Sequence, residues 1–510
     1  MLKYKISYKD THCFSKFIID YLNKDEKLKS FVNHFPELEN FGRQIVEKRS
    51  HEIDRGVLVE VLEKQNQSFN LSDLSQENID LLKLDTTFSV TTGHQLCLFT
   101  GPLYFIYKII STINLCDQLK VRYPSNNFIP VFWMATEDHD FEEINHIHLF
   151  GNKIEWNNKQ HGAVGEINLD DLDSLISELK IVLGAHKNID KLILLFEQTY
   201  LNHNNLADAT RYLVNELFGE YGLVIIDGND RDLKRQFIPQ ISKDILERGF
   251  APIIQQCSDR LSKDYKVQAF VRNINFFRLS DNKRELITGG VAEKEIRENP
   301  ERFSPNVLLR PLYQEVILPN IAYIGGESEI AYWMQLKTVF EQERTPFPLL
   351  VLRNSALLID KSKQYKFEKL GFKLEDLFLS EAKLSKRYVL AHSNQKISLE
   401  DDKKKLALLY EDLASKISES SLQNSTKAQL QKQFSFLDKL QEKLIRAEKK
   451  KSENAINQIT KIKKHLFPNN YLQERYDNYI SYYLDDGDNF IKTLKNNLDP
   501  LCPNFVILTL

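Results

Sequence analysis

The chain has 510 residues, 42% of them hydrophobic and 27% charged, and its 68 Lys and Arg residues nearly balance 71 Asp and Glu residues, for a net charge of -3. That length predicts about three domains, or one large core that carries insertions. The composition excludes a disordered chain and a small disulfide-stabilised module. The balanced charge gives no general attraction to nucleic acid or to an anionic membrane, so we expect neither as a partner.

The five cysteines lie far apart and form no C-x-x-C pair. The sequence therefore predicts neither a zinc ribbon nor a disulfide framework. No apolar stretch reaches the ~18 residues that a membrane-spanning helix needs, and residues 1–14 contain no hydrophobic signal segment. These features predict a cytoplasmic protein.

The first 149 residues predict a helical segment followed by half of a Rossmann-like core. Residues 1–85 carry apolar side chains at helical spacing. Within residues 86–149, the β-branched run at 88–92 predicts a strand, and a loop and a helix from about residue 102 to 119 follow it. Residues 128–135 form a nearly continuous apolar run, which is typical of a strand buried on both faces.

The middle of the chain predicts an insertion and the second half of the core. Residues 150–215 have a mainly helical pattern and predict a connective insertion. Residues 216–380 predict the rest of the core with a further insertion, with strands near residues 223–227, 268–271, 321–324 and 349–352. Strands that alternate with helices predict an α/β fold with a doubly wound parallel sheet.

The last part of the chain has a different pattern. Residues 381–467 are rich in Lys, Glu, Gln and Leu and carry long apolar stripes at helical spacing, which predict an antiparallel coiled-coil hairpin. We interpret this hairpin as a dimerisation arm of a homodimer. The Tyr-rich residues 468–510 predict a tail that packs on the core.

The first candidate for chemistry is the loop between the strand at 88–92 and the following helix. Gly93, His94, Gln95, Thr100 and Gly101 lie in this loop. The start of a helix offers free N–H groups and a partial positive charge, so the loop can hold a phosphate or a carboxylate. The alternative is a tight turn in which a threonine caps the helix.

The second candidate is a dense ionisable cluster directly after the apolar run at 128–135. Its members are Glu137, Asp138, His139, Asp140, Glu142, Glu143, His146 and His148. Carboxylates at the end of a strand can orient an amine, bind a cation or accept a proton. The alternative is an acidic, solvated loop. The spacing matches no known metal motif, so we expect no resident metal.

The third candidate combines an arginine and two glycines. Arg310 can hold a carboxylate or phosphate through two parallel hydrogen bonds, and Gly325 with Gly326 allows the backbone to approach a ligand closely. The alternatives are a structural arginine and a simple turn.

These three stretches resemble the bacillithiol biosynthesis cysteine-adding enzymes, the cysteine ligase family. The resemblance extends over nearly the whole chain and rests on the following segments: Gly93-His94-Gln95 with Leu98 to Tyr104, Pro130 to Trp133 with Glu137 to His146, Arg310-Pro311-Leu312 with Gln314-Glu315, and Gly325-Gly326 with Glu329 to Trp333. The resemblance implies a Rossmann core akin to class I nucleotidylyltransferases and aminoacyl-tRNA synthetases. Those relatives carry an H-x-G-H motif where this chain has Gly93-His94-Gln95, so the roles of their two histidines do not transfer.

The resemblance also implies a reaction, in which a ligase joins the carboxyl of L-cysteine to the amine of glucosaminyl malate. ATP or a related nucleotide, with Mg²⁺, is the implied source of activation. The implied catalytic residues are His94, Glu137, Asp138, His139 and Asp140. The implied substrate- or phosphate-binding residues are Gly93, Gln95, Thr100, Gly101, Asn145, His146, Arg310, Gln314, Gly325 and Gly326. A metal-dependent hydrolase that uses the cluster from Glu137 to His148 is the alternative function, and a non-catalytic assembly protein built on the coiled coil is a third.

Overall fold

The computed structural model describes residues 3–280, 283–393 and 398–510. A five-stranded sheet forms its centre, with strands labelled here in chain order: β1 (Thr87–His94), β2 (Asn127–Met134), β3 (Val224–Asp227), β4 (Asn320–Gly325) and β5 (Leu349–Leu352). They lie in the order β3, β2, β1, β4, β5, and every neighbouring pair is parallel. This is the doubly wound Rossmann order, and it confirms the predicted α/β core.

Burial on both faces explains the apolar run of β2. Val131 and Trp133 pack into one hydrophobic core, and Phe132 and Met134 pack into another on the opposite face of the sheet. Alternating residues of a strand point to opposite faces, so a strand that is covered on both sides needs apolar residues at every position.

Helices surround this sheet in the connections between its strands. Before β1 the α-helices are Lys16–Leu22, Asn40–Arg49, Arg55–Asn66 and Asp73–Leu81. Between β1 and β2 lies Tyr104–Arg122, and between β2 and β3 lie Phe141–Ile144, Leu172–Leu183, Ile189–Leu201 and Leu206–Phe218. Between β3 and β4 lie Arg231–Arg235, Ile238–Ile245, Ala251–Leu261, Glu293–Glu298 and Arg310–Ile317, and between β4 and β5 lie Glu327–Met334 and Lys337–Gln342.

The C-terminal helices are Lys361–Lys369, Glu381–His392, Glu400–Ser415, Ser420–Lys451, Glu453–Leu466, Ile480–Asp486 and Asn489–Asn497. Across the described ranges, no helix combines the length and apolar composition that crossing a membrane requires. Residues 1–2, 281–282 and 394–397, which fall in the predicted segments 1–85, 216–380 and 381–467, lie outside the described residues.

The remaining strands form smaller sheets. Lys3–Ser7, in the segment predicted to be helical, pairs antiparallel with Asn504–Thr509, which also pairs parallel with Ala356–Ile359. This sheet joins the two ends of the described chain. Asn152–Glu155, at the start of the predicted helical insertion, pairs with His146–Leu149 as a hairpin. In the predicted segment 216–380, Phe276–Ser280 pairs with both Lys283–Leu286 and Phe303–Pro305.

The strand predicted at residues 268–271 is wrong. The Ala269 backbone forms hydrogen bonds with the Gln335 side chain, at 3.1 Å from its N–H and 3.0 Å from its carbonyl. These bonds take the place of a strand partner. The neighbouring Phe270 is 81% exposed, so the apolar pattern here does not reflect a buried strand.

The predicted antiparallel coiled coil is confirmed. Lys403 Nζ lies 2.6 Å from Asp438 Oδ1, and the Leu399 N–H donates to Gln441 Oε1 at 2.8 Å. Residue numbers thus rise along Glu400–Ser415 as they fall along Ser420–Lys451, with the turn at residues 416–419. Apolar side chains remain exposed on this hairpin, including Leu408, Leu409 and Phe436.

Candidate active site

The carboxyl ends of β1, β2 and β4 bring the three predicted motifs to one edge of the sheet. Gly93 and His94, predicted to lie in the loop, are the last residues of β1, and Gln95 follows them. Asp138 follows β2, and Gly326 follows β4. β1 and β4 are neighbours in the sheet, and the strand order reverses between them. Open α/β sheets bind their ligands at such a switch point, outside the carboxyl ends of the strands.

Gln95 joins the first motif to the second. Its Nε2 donates to Asp138 Oδ2 at 2.7 Å and to Glu143 Oε2 at 2.8 Å. A single amide group therefore holds two carboxylates together. Because carboxylates accept hydrogen bonds and attract cations, this pair can receive an ammonium group or a proton.

Arg284 occupies the other side of Asp138. Its Nη1 lies 3.6 Å from Asp138 Oδ1 and 3.1 Å from His139 Nδ1. A guanidinium can only donate, so the nitrogen of His139 that faces Arg284 must be the acceptor. The lone pair that His139 would use to accept a proton at Nδ1 is therefore already engaged.

Glu137 and Asp140 are engaged in the structure of their own loop. Glu137 pairs with the buried ammonium of Lys234, which also donates to Asn229 Oδ1 at 2.8 Å. Asp140 is exposed and caps the short helix Phe141–Ile144, where it accepts the Glu143 N–H at 3.3 Å. Neither carboxylate contacts Gln95.

His94 is a buried, neutral imidazole. Its Nδ1 lies 2.9 Å from the Gln95 carbonyl, which can only accept, so Nδ1 carries the proton and Nε2 is the acceptor. Burial, followed by the charge of Lys108, lowers the pKa of His94 to about 3. His94 can thus offer a lone pair, whereas stabilising a phosphoryl group by positive charge would require protonation against this shift.

The loop at Thr100 and Gly101 has left-handed backbone geometry, with φ values of 70° and 65°. A Cβ on Gly101 would lie 2.6 Å from the Cβ of Cys97, so only glycine fits. The helix begins at Tyr104, later than predicted, and the Leu103 N–H donates to the Asp477 carbonyl at 2.8 Å. That donor is therefore not free for a phosphate.

Asn145 and His146 belong to the hairpin after β2. Asn145 Nδ2 lies 3.3 Å from the Trp156 carbonyl, and Asn145 Oδ1 lies 3.0 Å from His146 Nδ1. The contacts of these two residues hold the hairpin, and they do not include the carboxylates at Gln95.

Arg310 lies among aromatic rings and has one unpaired N–H group among the described residues. Its guanidinium carbon lies over three aromatic rings, 5.6 Å from Trp133, 5.4 Å from Tyr323 and 5.9 Å from Trp333. Nη1 donates to Gln314 Oε1 at 2.9 Å, whereas Nη2 is buried without a hydrogen-bond partner among the described residues. Gln314 thus holds the arginine, and the unpaired Nη2 suits a carboxylate or phosphate oxygen.

Gly325, the last residue of β4, and Gly326, which follows it, are in tight contact with Glu329. A Cβ on Gly325 would lie 3.1 Å from the Cβ of Glu329, and the Gly326 N–H donates to Glu329 Oε2 at 2.8 Å. The same carboxylate oxygen lies 2.6 Å from Lys108 Nζ, which donates to the Gly93 carbonyl at 2.8 Å. The first and third motifs are therefore joined through Lys108.

Several residues that contact the predicted site residues were not themselves predicted to belong to the site. Lys108, Lys234, Arg284 and Glu329 each hold a predicted residue by a charged contact. Two of them gave a usable signal. Lys108 is a lone charge in the otherwise apolar start of the helix Tyr104–Arg122, and Glu329 begins the last segment that carries the family resemblance.

The metal-dependent hydrolase alternative is not supported. Within the described ranges, no group of three or more His, Cys, Asp and Glu side chains is arranged to hold a metal ion. Glu137 is paired with Lys234, Asp138 is held by Gln95 and Arg284, and His148 stacks on the ring of Tyr476 at 4.1 Å. Two members of the predicted cluster, Asp138 and Glu143, are thus held together by Gln95, whereas Glu137 and His148 have other partners.

Two cavities, of about 1480 Å³ and about 1080 Å³, lie away from these motifs. The larger is lined in part by Lys463 and Tyr482, and the smaller by Tyr21 and Leu501. Neither is lined by Gln95, Asp138 or Arg310, so cavity size alone does not identify the site formed by the motifs.

Comparison with known families covers the whole chain. The model described as "Bacillithiol biosynthesis BshC, N-terminal Rossmann-like domain" matches residues 1–354, and the corresponding C-terminal coiled-coil domain matches residues 356–510. A protein of Flavobacterium psychrophilum named "Putative cysteine ligase BshC" is 44% identical over 99% of this chain and 98% of its own length. Proteins of the same name from Flavobacterium johnsoniae and Bacillus cereus are 43% and 28% identical, over 99% and 92% of this chain and 99% and 93% of their own lengths.

Proposed function

This chain belongs to the bacillithiol biosynthesis BshC family, and on that premise we propose that it is a cysteine ligase that joins the carboxyl of L-cysteine to the amine of glucosaminyl malate. The observation that carries the proposal is the pair of carboxylates, Asp138 and Glu143, that Gln95 holds together at the carboxyl edge of the sheet. Such a pair can orient an amine. Arg310, whose buried Nη2 has no hydrogen-bond partner among the described residues, can bind the carboxylate of a substrate.

Amide formation in water requires activation of the carboxyl group. ATP or a related nucleotide, when bound, would supply that activation. The chain offers the buried Nη2 of Arg310 as a donor for an anionic oxygen.

The contacts of the site refine the predicted roles. Glu137 and His139, predicted to accept the proton of the amine, are engaged by Lys234 and Arg284. We assign binding of the amine, and acceptance of its proton, to the pair of Asp138 and Glu143, in which Asp138 lies 3.6 Å from Arg284 and Glu143 is contacted by the neutral amide of Gln95. Nε2 of the neutral His94 serves as a hydrogen-bond acceptor, and Arg310 orients a substrate carboxylate.

A mass-spectrometric assay tests this proposal. Purified protein is incubated with L-cysteine and glucosaminyl malate, with and without ATP, and the amide product, AMP and ADP are all followed. Product that requires ATP supports the ligase, and release of AMP or of ADP identifies the mode of activation. Absence of product and of nucleotide turnover with folded protein would contradict it.

A matched pair of variants tests the site itself. Asp138→Asn should lower kcat/KM by about 100-fold, because the amide cannot accept a proton or attract the amine by charge. Asp54→Asn is the control, since Asp54 is an exposed cap of the helix Arg55–Asn66 and asparagine caps equally well. Near-normal turnover of Asp138→Asn would refute the assignment.

We also propose a homodimer formed through the coiled coil. Leu409 and Phe436 are 55% and 62% exposed on the hairpin in the single chain, and burial against a second hairpin would remove this apolar surface from water. Sedimentation velocity should show a dimer for the wild type and a monomer for the double variant Leu409→Asp with Phe436→Asp. A monomeric wild type would refute it.

A cytoplasmic location completes the proposal. All five cysteines are free thiols, which agrees with a reducing compartment. Fractionation of cells that express the protein, with separate assay of the cytoplasmic and exported fractions, tests this location.

A further inference from the structure

A buried lysine and a partly buried glutamate meet below the switch point of the sheet. Lys108 lies on the helix that follows β1, and Glu329 lies on the helix that follows β4. Lys108 Nζ and Glu329 Oε2 are 2.6 Å apart, with 6% and 21% of the side chains exposed. No other contact in the described structure joins these two helices by opposite charges.

Each partner also forms hydrogen bonds within its own motif. Lys108 donates to the carbonyl of Gly93, at 2.8 Å, in the last residues of β1. Glu329 accepts the Gly326 N–H at 2.8 Å and the Tyr323 hydroxyl at 2.6 Å. The pair is therefore bonded on both sides to the backbone that borders the candidate site.

The pair of Lys108 and Glu329 is also connected to Arg310, through Tyr323. The ring of Tyr323, whose hydroxyl donates to Glu329, lies 5.4 Å from the guanidinium of Arg310. The position of Glu329 thus influences both the Gly325-Gly326 turn and the aromatic surroundings of the predicted carboxylate-binding arginine.

Burial of two charges is expensive, and a buried ion pair is weak evidence for a stabilising role. A pair that only stabilised the fold could be replaced by neutral groups without loss. The contacts of this pair with Gly93, Gly326 and Tyr323 instead fix the separation of two loops that must act on one substrate, for which an error of about 1 Å costs up to 100-fold in rate.

We propose that Lys108 and Glu329 are positioning residues of the ligase, which lock the loop after β1 to the loop after β4. This inference rests on the proposed function for its kinetic consequence. Its structural content, the tie between the two loops, is measurable without any turnover.

The test compares four proteins with the wild type: Lys108→Met, Glu329→Gln, the double variant Lys108→Met with Glu329→Gln, and a control. Each single variant leaves one buried charge unpaired and should lower the melting temperature. The double variant removes both charges and should recover most of that loss. The control is Lys243→Met with Glu343→Gln, which removes a lysine–glutamate pair with 2.5 Å separation between the helix Ile238–Ile245 and the end of the helix Lys337–Gln342, outside the three motifs.

Two measurements are made on each protein. Amide hydrogen exchange is followed in peptides that cover residues 92–96 and 324–328, and steady-state kinetics give kcat and KM separately. For the double variant we expect near-wild-type melting, at least tenfold faster exchange in both peptides, and at least a tenfold lower kcat. The control should leave exchange in both peptides and kcat unchanged.

Wild-type exchange and wild-type kcat in the double variant would overturn the proposal. Faster exchange in both peptides together with unchanged kcat would also overturn it, because the tie would then not position the reaction. A wild-type protein without ligase activity would refute the proposed function, whereas the exchange measurement would still decide whether the pair joins the two loops.

Discussion

Arg353, at the end of β5, forms a buried ion pair with Glu474, and its Nη2 lies 2.8 Å from Glu474 Oε1. Glu474 also accepts the Ser355 hydroxyl and the Ala356 N–H, each at 3.1 Å. The pair therefore joins the Rossmann-like region to the C-terminal region at the boundary between the two family domains. All of these contacts converge on one carboxylate, which makes Glu474 the residue whose loss should affect this junction most.

Glu474→Ala should lower the free energy of unfolding by about 3 to 5 kcal/mol, because it leaves the buried charge of Arg353 unpaired. Urea denaturation followed by circular dichroism measures this loss. Glu293→Ala is the control, since Glu293 pairs with Arg297 on an exposed helix face, where such pairs contribute about 0 to 1 kcal/mol. Equal losses in the two variants would contradict a special role for the junction.

The neutral state of His94 makes stability depend on pH. The pKa of His94 falls from 6.5 to about 3 in the folded protein, first through burial and then through Lys108. Below pH 6.5 the unfolded chain binds a proton that the folded chain does not, so acidification favours unfolding. Between pH 7 and pH 5 this histidine should remove about 2 kcal/mol of stability.

Comparison with His94→Gln isolates this contribution, because the other titrating groups remain in both proteins. The difference in free energy of unfolding between wild type and variant should move by about 2 kcal/mol in favour of the variant as pH falls from 7 to 5. Urea denaturation at each pH gives the values. A difference that does not change with pH would show that His94 is protonated normally in the folded protein.

The strands of the core could be predicted from the sequence because the residues that indicate each strand are adjacent in the chain. The apolar run of β2 and the strands β4 and β5 are continuous in the chain, and burial on both faces demands such runs. The strand at residues 268–271 was predicted on the same grounds. No strand forms there, because the side chain of Gln335, which is distant in sequence, takes up the backbone hydrogen bonds of Ala269.

The sequence indicates the three motifs of the candidate site, but it does not indicate the contacts between their individual residues. The topology brings the motifs together because the carboxyl ends of parallel strands share one edge. The partners of individual residues, such as Lys234 for Glu137 and Arg284 for His139, come from distant segments with no sequence signal. These partners determine which side chains are already engaged by an opposite charge or a hydrogen-bond donor. The roles of Glu137 and His139 therefore could not be predicted from the sequence.

Arg310→Lys should raise KM for the carboxylate-bearing substrate by about tenfold or more, since a charged hydrogen bond contributes about 1.5 to 3 kcal/mol. Lysine keeps the charge but loses the planar fork that places Nη1 on Gln314 and leaves Nη2 free. Steady-state kinetics with each substrate varied in turn measure the effect. An unchanged KM for every substrate would place the anion elsewhere.

Asn478 fixes the left-handed loop at Phe99 to Gly101 from the C-terminal region. Its Nδ2 donates to the Phe99 carbonyl at 2.8 Å and to the Gly101 carbonyl at 2.6 Å. Asn478→Asp replaces these donors with a carboxylate that faces two carbonyl oxygens. The loss of two hydrogen bonds should cost about 2 kcal/mol of stability and speed amide exchange at residues 98–103.

Asn188→Asp is the matched control, because Asn188 Nδ2 also donates to two carbonyls, those of Tyr483 and Leu484, at 3.2 and 3.0 Å. Both variants should be less stable than the wild type, but only Asn478→Asp should raise KM for a substrate or nucleotide. The reason is that Asn478 borders the loop that leads from His94 to the helix Tyr104–Arg122, whereas Asn188 lies away from the three motifs. Identical kinetics in the two variants would show that the geometry of this loop does not affect binding.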